Sequence, residues 1–362
     1  MRVANRGSEP GLARFAHCPC RSALSAAGLG PALVPKLPRM PLPSLRVWSA
    51  PRLPLPPRPG LELSAEAIRR IELTVACRDA DQIPKVRDAG EVKNEGGIQV
   101  QVMHEGSRVV EGCYHGLWMT ETIRRLRGHH EPQEELVIHR LIERIRTSRG
   151  TRTPVMVELG CFWSYYSIWA MRATGTRAVL VEPDPANLAA GRANLDLNRL
   201  DAEIVNAAVG GDHGSSTLLR CESDGVQREL PVVSVAGLMS DRGIDRLDLL
   251  QLDVQGAELD VVERAREVFA AGRIRFVVVS THHHSISGDP MTHQCCLAEL
   301  KAAGAHVVAE HTVGESCSGD GLIAVSFDPP DSDFTVQISY ARYRDSLFGE
   351  LEPELAAVLA AS

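Results

Sequence analysis

The chain has 362 residues, 44% hydrophobic and 23% charged, the make-up of an ordinary globular protein with one large domain or two modest ones. No apolar run approaches the roughly 18 residues of a membrane span, and nine cysteines without matched close pairs exclude a disulfide scaffold. The net charge of −7 is uneven: residues 1–60 hold nine Arg or Lys against Glu9 alone, so the rest is strongly acidic and would repel the phosphates of nucleic acid.

Residues 1–60 also contain twelve of the 22 prolines, each of which removes a backbone donor and fixes φ, so this stretch is predicted to be a disordered leader. It has no apolar core of about 7–15 residues followed by a small-residue cleavage site, which argues against secretion. Scattered reduced thiols then point to the cytoplasm. A dispensable leader, or a natural start near Met40, is expected ahead of a transit peptide or a basic tail.

Residues 61–130 read as an N-terminal extension. Residues 64–77 alternate weakly, 97–103 alternate with period two as a strand does, and 116–127 look helical. An α/β segment, read as one domain, follows over 131–328. The stretch 133–146 puts Leu136, Val137, Leu141, Ile142 and Ile145 on one helical stripe, with Pro132, Gln133 and Glu134 as ordinary helix-start chemistry and Glu131 weakly favoured to close over a ligand. Strands are predicted at 154–159, 177–182, 203–206, 247–254 and 274–281, separated by helices at 165–174, 185–198, 256–271 and 292–303. Two last strands, 306–311 and 322–327, have no helix between them. Residues 329–362, with Tyr340, Tyr343 and leucines at helical spacing, are predicted as a packed terminal helix, with a lid or a homodimer helix as alternatives.

Strands alternating with helices mean a doubly wound, mainly parallel α/β sheet, here with an antiparallel edge hairpin. Such a sheet binds its ligand beyond the carboxyl ends of its strands, beside the first one. Chemistry is therefore expected in the turns after Glu158, Glu182, Asp253 and Thr281. Gly160 permits a tight turn and a close backbone approach, and a carboxylate at Glu182 suits a pair of ribose hydroxyls. Phe162 and Ser164 stand where a pyrophosphate-binding turn has glycines, which disfavours NAD and FAD, and no phosphate-cradling Gly-x-x-x-x-Gly-Lys motif is present.

Glu158-Leu-Gly160 with Tyr165-Tyr166-Ser167, Glu182-Pro-Asp-Pro-Ala-Asn187 with Asn194, and Leu252-Asp253-Val-Gln-Gly256-Ala-Glu258 together resemble the FkbM family of S-adenosylmethionine-dependent methyltransferases. The resemblance runs from about residue 100 to 327. It implies a class I methyltransferase (Rossmann-like) fold, S-adenosylmethionine as cofactor, and methyl transfer to a hydroxyl on a sugar, glycan or secondary metabolite. Carried over by position, Glu158 and Gly160 meet the methionine part of the cofactor, Glu182 its ribose and Ala208, within 206–209, its adenine. Asp253 lies under the transferring methyl, and Ser164 replaces the family's second glycine.

The run Ser280-Thr281-His282-His283-His284-Ser285, followed by His293, leaves the fifth strand on the ligand side. In extended backbone such histidines alternate sides. His282 or His283 as acceptor-binding group or general base is favoured over a plain polar loop, and over a metal site completed by Asp253 or His293. Asp253 is read as orienting the acceptor. The loop 315–321 is a weak candidate for lining the acceptor pocket. A noncatalytic Rossmann-like scaffold and a nicotinamide-dependent oxidoreductase are the alternatives.

Overall fold

The computed structural model describes residues 60–341, all within the unit Leu55–Ser362. The expected leader up to residue 59 and the expected helix beyond 341 lie outside them.

Ser64 starts the first element by accepting a hydrogen bond from the Ala67 N–H at 3.1 Å, and Glu66 occupies the first turn. The weak alternation over 64–77 therefore belongs to a helix, α1 (Ala65–Ala76). Strands β1 (Val92–Glu95) and β2 (Ile98–Val102) pair antiparallel across Gly96-Gly97, both glycines at positive φ as a two-residue hairpin requires. Strand β3 (Arg108–Val110) completes this small sheet, and α2 (Leu117–Arg125) and α3 (Pro132–Ser148) follow.

Next come β4 (Val155–Leu159), α4 (Tyr165–Thr174), β5 (Arg177–Val181), α5 (Pro185–Leu197) and β6 (Glu203–Val205). Then β7 (Ala208–Val209), β8 (Ser216–Arg220) and β9 (Gln227–Val233) form a separate three-stranded sheet, leading into α6 (Val235–Asp241). The chain continues through β10 (Leu247–Leu252), α7 (Glu258–Arg264), α8 (Arg266–Ala270), β11 (Ile274–Thr281), α9 (His284–Ser287), α10 (Thr292–Ala302), β12 (His306–His311) and β13 (Gly321–Ser326).

The large sheet runs β12-β13-β11-β10-β4-β5-β6. Its pairs are parallel from β11 to β6, whereas β13 is antiparallel to both β11 and β12. The last two strands are the expected hairpin, but the final strand is inserted inside it and β12 forms the edge. Period-two alternation sorts the side chains: Met156, Leu249, Phe276, Val278, Leu322 and Ala324 pack toward α3 and α4, while Val157, Leu250, Val277, Val279, Ile323 and Val325 pack toward α6, α7, α8 and α10. Each fully buried aliphatic or aromatic side chain stabilises the layer by about 1.5–3 kcal/mol.

The same alternation aims polar side chains into the α3 layer. Glu134, in the first turn of α3, accepts from Ser280 of β11 at 2.7 Å and lies 3.4 Å from the Gln251 amide of β10. It is buried, and burial raises its carboxyl to about 7. Pro132 and Glu134 thus stand in the first turn as expected, but this helix begins against the sheet rather than in water. Gln133 likewise turns inward, donating to the Glu315 and Ser339 carbonyls and accepting from the Cys317 N–H. After a short 3₁₀ turn at Pro329–Asp331, residues 332–341 run without helix and return to the extension, where Ser339 donates from N and Oγ to Asp79. Among the described residues no helix is long and apolar enough to cross a membrane.

Candidate active site

Three turns meet where β4, β5 and β10 end. The turn after β4 holds Gly160 at φ +80°, and a Cβ there would fall 1.7 Å from the Asp253 carbonyl oxygen. The Asp253 N–H in turn donates to Leu159 O at 2.9 Å, so the two turns are locked together by backbone. From the other side, Gly191 of α5 admits the turn: a Cβ there would lie 2.4 Å from Ser164 Oγ. Glu182, just past β5, accepts from the N–H groups of Phe162 at 3.1 Å and Asp184 at 2.9 Å, which fixes its carboxylate beside Gly160. Burial raises it to about 7.

These turns line a cavity of about 360 Å³, within the range of small-molecule and cofactor sites. Gly160, Phe162, Glu182, Ala208 and Asp253 form its floor, and Leu219 to Glu222, at the end of β8, form one wall. Ser223 ties that wall down, donating from N and Oγ to Asp184, the residue that also caps α5. Tyr114 and His115 of the N-terminal extension also line it. Neither was legible beforehand, since an aromatic pair ahead of a helix is an ordinary packing signal. Backbone strain marks the site independently: His115 (φ +50°), Phe162 (+37°) and Gln255 (+52°) all line the cavity. A non-glycine residue in such a conformation costs on the order of 1–3 kcal/mol and persists where the surroundings hold it.

Behind Asp253 lies an acidic recess around one imidazole. His282 Nδ1 is 2.7 Å from Glu258 Oε1, and Nε2 is 3.2 Å from Asp253 Oδ1 and 3.8 Å from Asp320 Oδ1. Burial alone would lower this histidine, but Asp320, Asp253 and Glu258 outweigh it and hold the ring protonated well above its usual range. Asp320 is itself raised to about 6, by burial and despite His282. The Asp253-to-Glu258 motif now has a physical reading. Gly256 (φ +102°) lets the α9 turn come close, since a Cβ would sit 2.9 Å from Ser287 Cα, and Glu258 supports His282.

The expected residues divide cleanly. Gly160, Glu182, Ala208 and Asp253 line the cavity, and His282 contacts it through Asp253. Glu158 and Ser164 do not line it. Glu158 points into the α3–α4 layer, accepting from the Ser167 N–H at 3.1 Å and from Ser167 Oγ, and burial raises it to about 8. The histidine run is not extended: His283 is the N-cap of α9, its Nδ1 accepting from the Ser285 N–H at 3.3 Å. His293 lies on the other face of the sheet, between Thr281 and Glu310. Ser164 is the buried N-cap of α4 at φ +62°, holding the left-handed conformation a glycine would adopt freely. Ser164→Gly is expected to stabilise the chain by about 0.5–1 kcal/mol, the relief of left-handed strain exceeding the entropy glycine loses; urea denaturation checks the sign.

The strand order, with the first strand beside the crevice and an antiparallel strand inserted at one end, defines a class I methyltransferase fold. Residues 150–307 match the profile of the methyltransferase FkbM domain. Among curated proteins none matches the sequence. Similar solved structures include the METTL16 MTase domain (16% identity over 54% of this chain and 68% of that one, TM-score 0.36). Two others are the human methyltransferase 10 domain containing protein (15%, 54% and 83%, 0.36) and the ribosomal protein L11 methylase from Lactobacillus delbrueckii subsp. bulgaricus (12%, 54% and 78%, 0.32).

Proposed function

We propose that this protein uses S-adenosylmethionine to methylate a hydroxyl of a small acceptor, a sugar, glycan or secondary metabolite. The observation that carries the reading is the convergence of Gly160, Glu182, Ala208 and Asp253 on one cavity. The chain fits the cofactor there: Gly160 brings backbone close where a Cβ would collide, and the Glu182 carboxylate, oriented by two N–H donors, suits a ribose diol. Ala208 and Val209 offer an apolar face for the adenine. Bound, the cofactor supplies a sulfonium methyl that is already a strong electrophile, so the residues act chiefly by positioning.

Asp253 orients the acceptor hydroxyl and is itself held by His282. Since carboxylates on both sides keep His282 protonated, it is a positioning residue rather than the base, and His283 is committed to its helix cap. His115 is better suited to take the proton. Its ring opens on the cavity, hydrogen-bonds to no described residue, and is lowered by the crowding walls, hence neutral near pH 7.

Calorimetric titration of S-adenosylhomocysteine into the full chain tests the reading. Micromolar affinity is expected, weakened at least tenfold in Glu182→Ala and retained in His115→Gln. Because burial raises Glu182 to about 7 and the ribose diol prefers the ionised carboxylate, affinity should rise as pH increases from 6 to 8. A folded chain that binds no S-adenosylhomocysteine overturns the proposal; binding opens the way to acceptor screening with sugars and glycosylated metabolites.

A further inference from the structure

Away from the cavity, a second set of titratable groups is packed out of solvent. His104 follows β2, His129 precedes α3 and Glu135 sits in the first turn of α3; none is more than 2% exposed. One donor atom from each lies within 4.8 Å of the other two. Tyr165, the first residue of α4, joins them, its hydroxyl 2.9 Å from His104 Nδ1 and donating to Glu135 Oε2 at 3.0 Å. Glu135 also faces His129 Nδ1 and His130 Nδ1, and accepts from the His130 N–H at 2.6 Å. The rings of His104 and His129 are 4.4 Å apart between centroids.

The donor types match a particular ligand chemistry: two buried imidazoles, a buried carboxylate and a phenol hydroxyl converge on one point. Lys85, whose charge also reaches the two rings, is engaged with the carbonyls of Ala80 and Ile83. The remaining nitrogen of His129, Nε2, is buried without a hydrogen-bond partner. A half-satisfied ring beside an anion in a dry interior is costly.

We propose that His104, His129 and Glu135 bind a divalent cation of the zinc class, with the Tyr165 hydroxyl as fourth donor. Two imidazoles and a carboxylate suit Zn²⁺, whereas Ca²⁺ and Mg²⁺ need oxygen-rich sets. At zinc–ligand distances near 2.1 Å, tetrahedral donors stand about 3.4 Å apart, so the present 2.9 and 3.0 Å spacings open by about half an ångström and the closer His129–Glu135 pair opens further. If His104 and His129 bind through Nδ1, the protons these nitrogens direct at Tyr165 and Glu135 move to Nε2 of the same rings. The site pins the extension to the starts of α3 and α4, and α4 follows directly on the Gly160–Ser164 turn. It is a structural site, independent of the acceptor and of the cofactor.

The test uses the full chain purified without chelator. Elemental analysis should find about one equivalent of zinc per chain, reduced at least tenfold in His104→Gln and in Glu135→Gln and kept in His282→Gln. Chelation should lower Tm, added Zn²⁺ should restore it, and Co²⁺ substitution should give a visible spectrum. If a variant fails to fold, X-ray absorption at the zinc edge of the wild-type chain counts the ligands, two of which should be imidazoles. A chain that takes up neither Zn²⁺ nor Co²⁺ and melts at an unchanged temperature overturns the proposal. So does zinc that is lost in His282→Gln and kept in Glu135→Gln.

Discussion

Gly160→Ala is expected to destabilise the chain by on the order of 3–5 kcal/mol and to abolish cofactor binding. Two effects add. The residue sits at φ +80°, where an L side chain costs about 1–2 kcal/mol, and its Cβ would fall 1.7 Å from Asp253 O and 2.7 Å from Asp253 C. Those are backbone atoms at the end of a central strand and have no rotamer to change. Gly214 separates the contributions: it has nearly the same φ, +81°, and an added Cβ would meet nothing within 4 Å. Gly214→Ala should therefore lose only the strain, about 1–2 kcal/mol. Urea denaturation of both variants gives the comparison. Equal losses would mean that the turns after β4 and β10 part freely, and the contact between them would have to be abandoned as the site's foundation.

Asp331→Ala is expected to cost about 3–5 kcal/mol, although the residue lies well over ten positions from any candidate cofactor contact in the chain. Its carboxylate is fully buried and accepts from Arg275 Nε at 2.8 Å and Nη2 at 3.0 Å, Arg144 Nε at 2.8 Å and Ser326 Oγ at 3.0 Å. Arg275 projects from β11 and is nearly as buried, so removing its close partner leaves an interior guanidinium with only Asp328 at 3.5 Å and the Ser148 hydroxyl. Burial would raise Asp331, but Arg275 and Arg144 outweigh it and keep the carboxyl below its usual range. A depressed acid stabilises the fold above the unfolded pKa, near 3.9, and loses that contribution as pH falls through the folded value. Thermal melts should accordingly show a smaller loss of Tm between about pH 4 and pH 2 in Asp331→Ala than in the wild type. Parallel acid limbs would remove Asp331 from the account of acid stability.

What the sequence reveals depends on whether a pattern is local. The strands at 274–281 and 306–311 read correctly to the residue, the first because a strand covered on both faces is a nearly continuous apolar run, the second because its short apolar stretch is bounded by turn residues and histidines. The helix at 65–76 is harder to read: its exposed Ile68 and scattered charges blur the 3.6-residue period, and only the Ser64 cap betrays it. The insertion of β13 between β11 and β12 follows from long-range pairing that no local signal encodes. At the site, glycine and acid at the strand ends are legible because the backbone demands them there. Glu158 misleads since its position at the tip of β4 is right while its side chain, on the alternate face, turns to Ser167. His282 is picked out by the histidine run, but the carboxylates around it, Glu258 and Asp320, come from distant segments and could not be read beside it. Tyr114 and His115 reach the cavity only through the fold of the extension.

That last feature divides the protein in a way the chain order conceals. The matched segment, 150–307, contains Gly160, Glu182, Ala208 and Asp253, yet Tyr114 and His115, which line the same cavity, lie before it. The strand-end turns and the aromatic residues that share their cavity thus come from separate stretches of chain. Substitution at Tyr114 or His115 can reshape the cavity without disturbing the turns that build it.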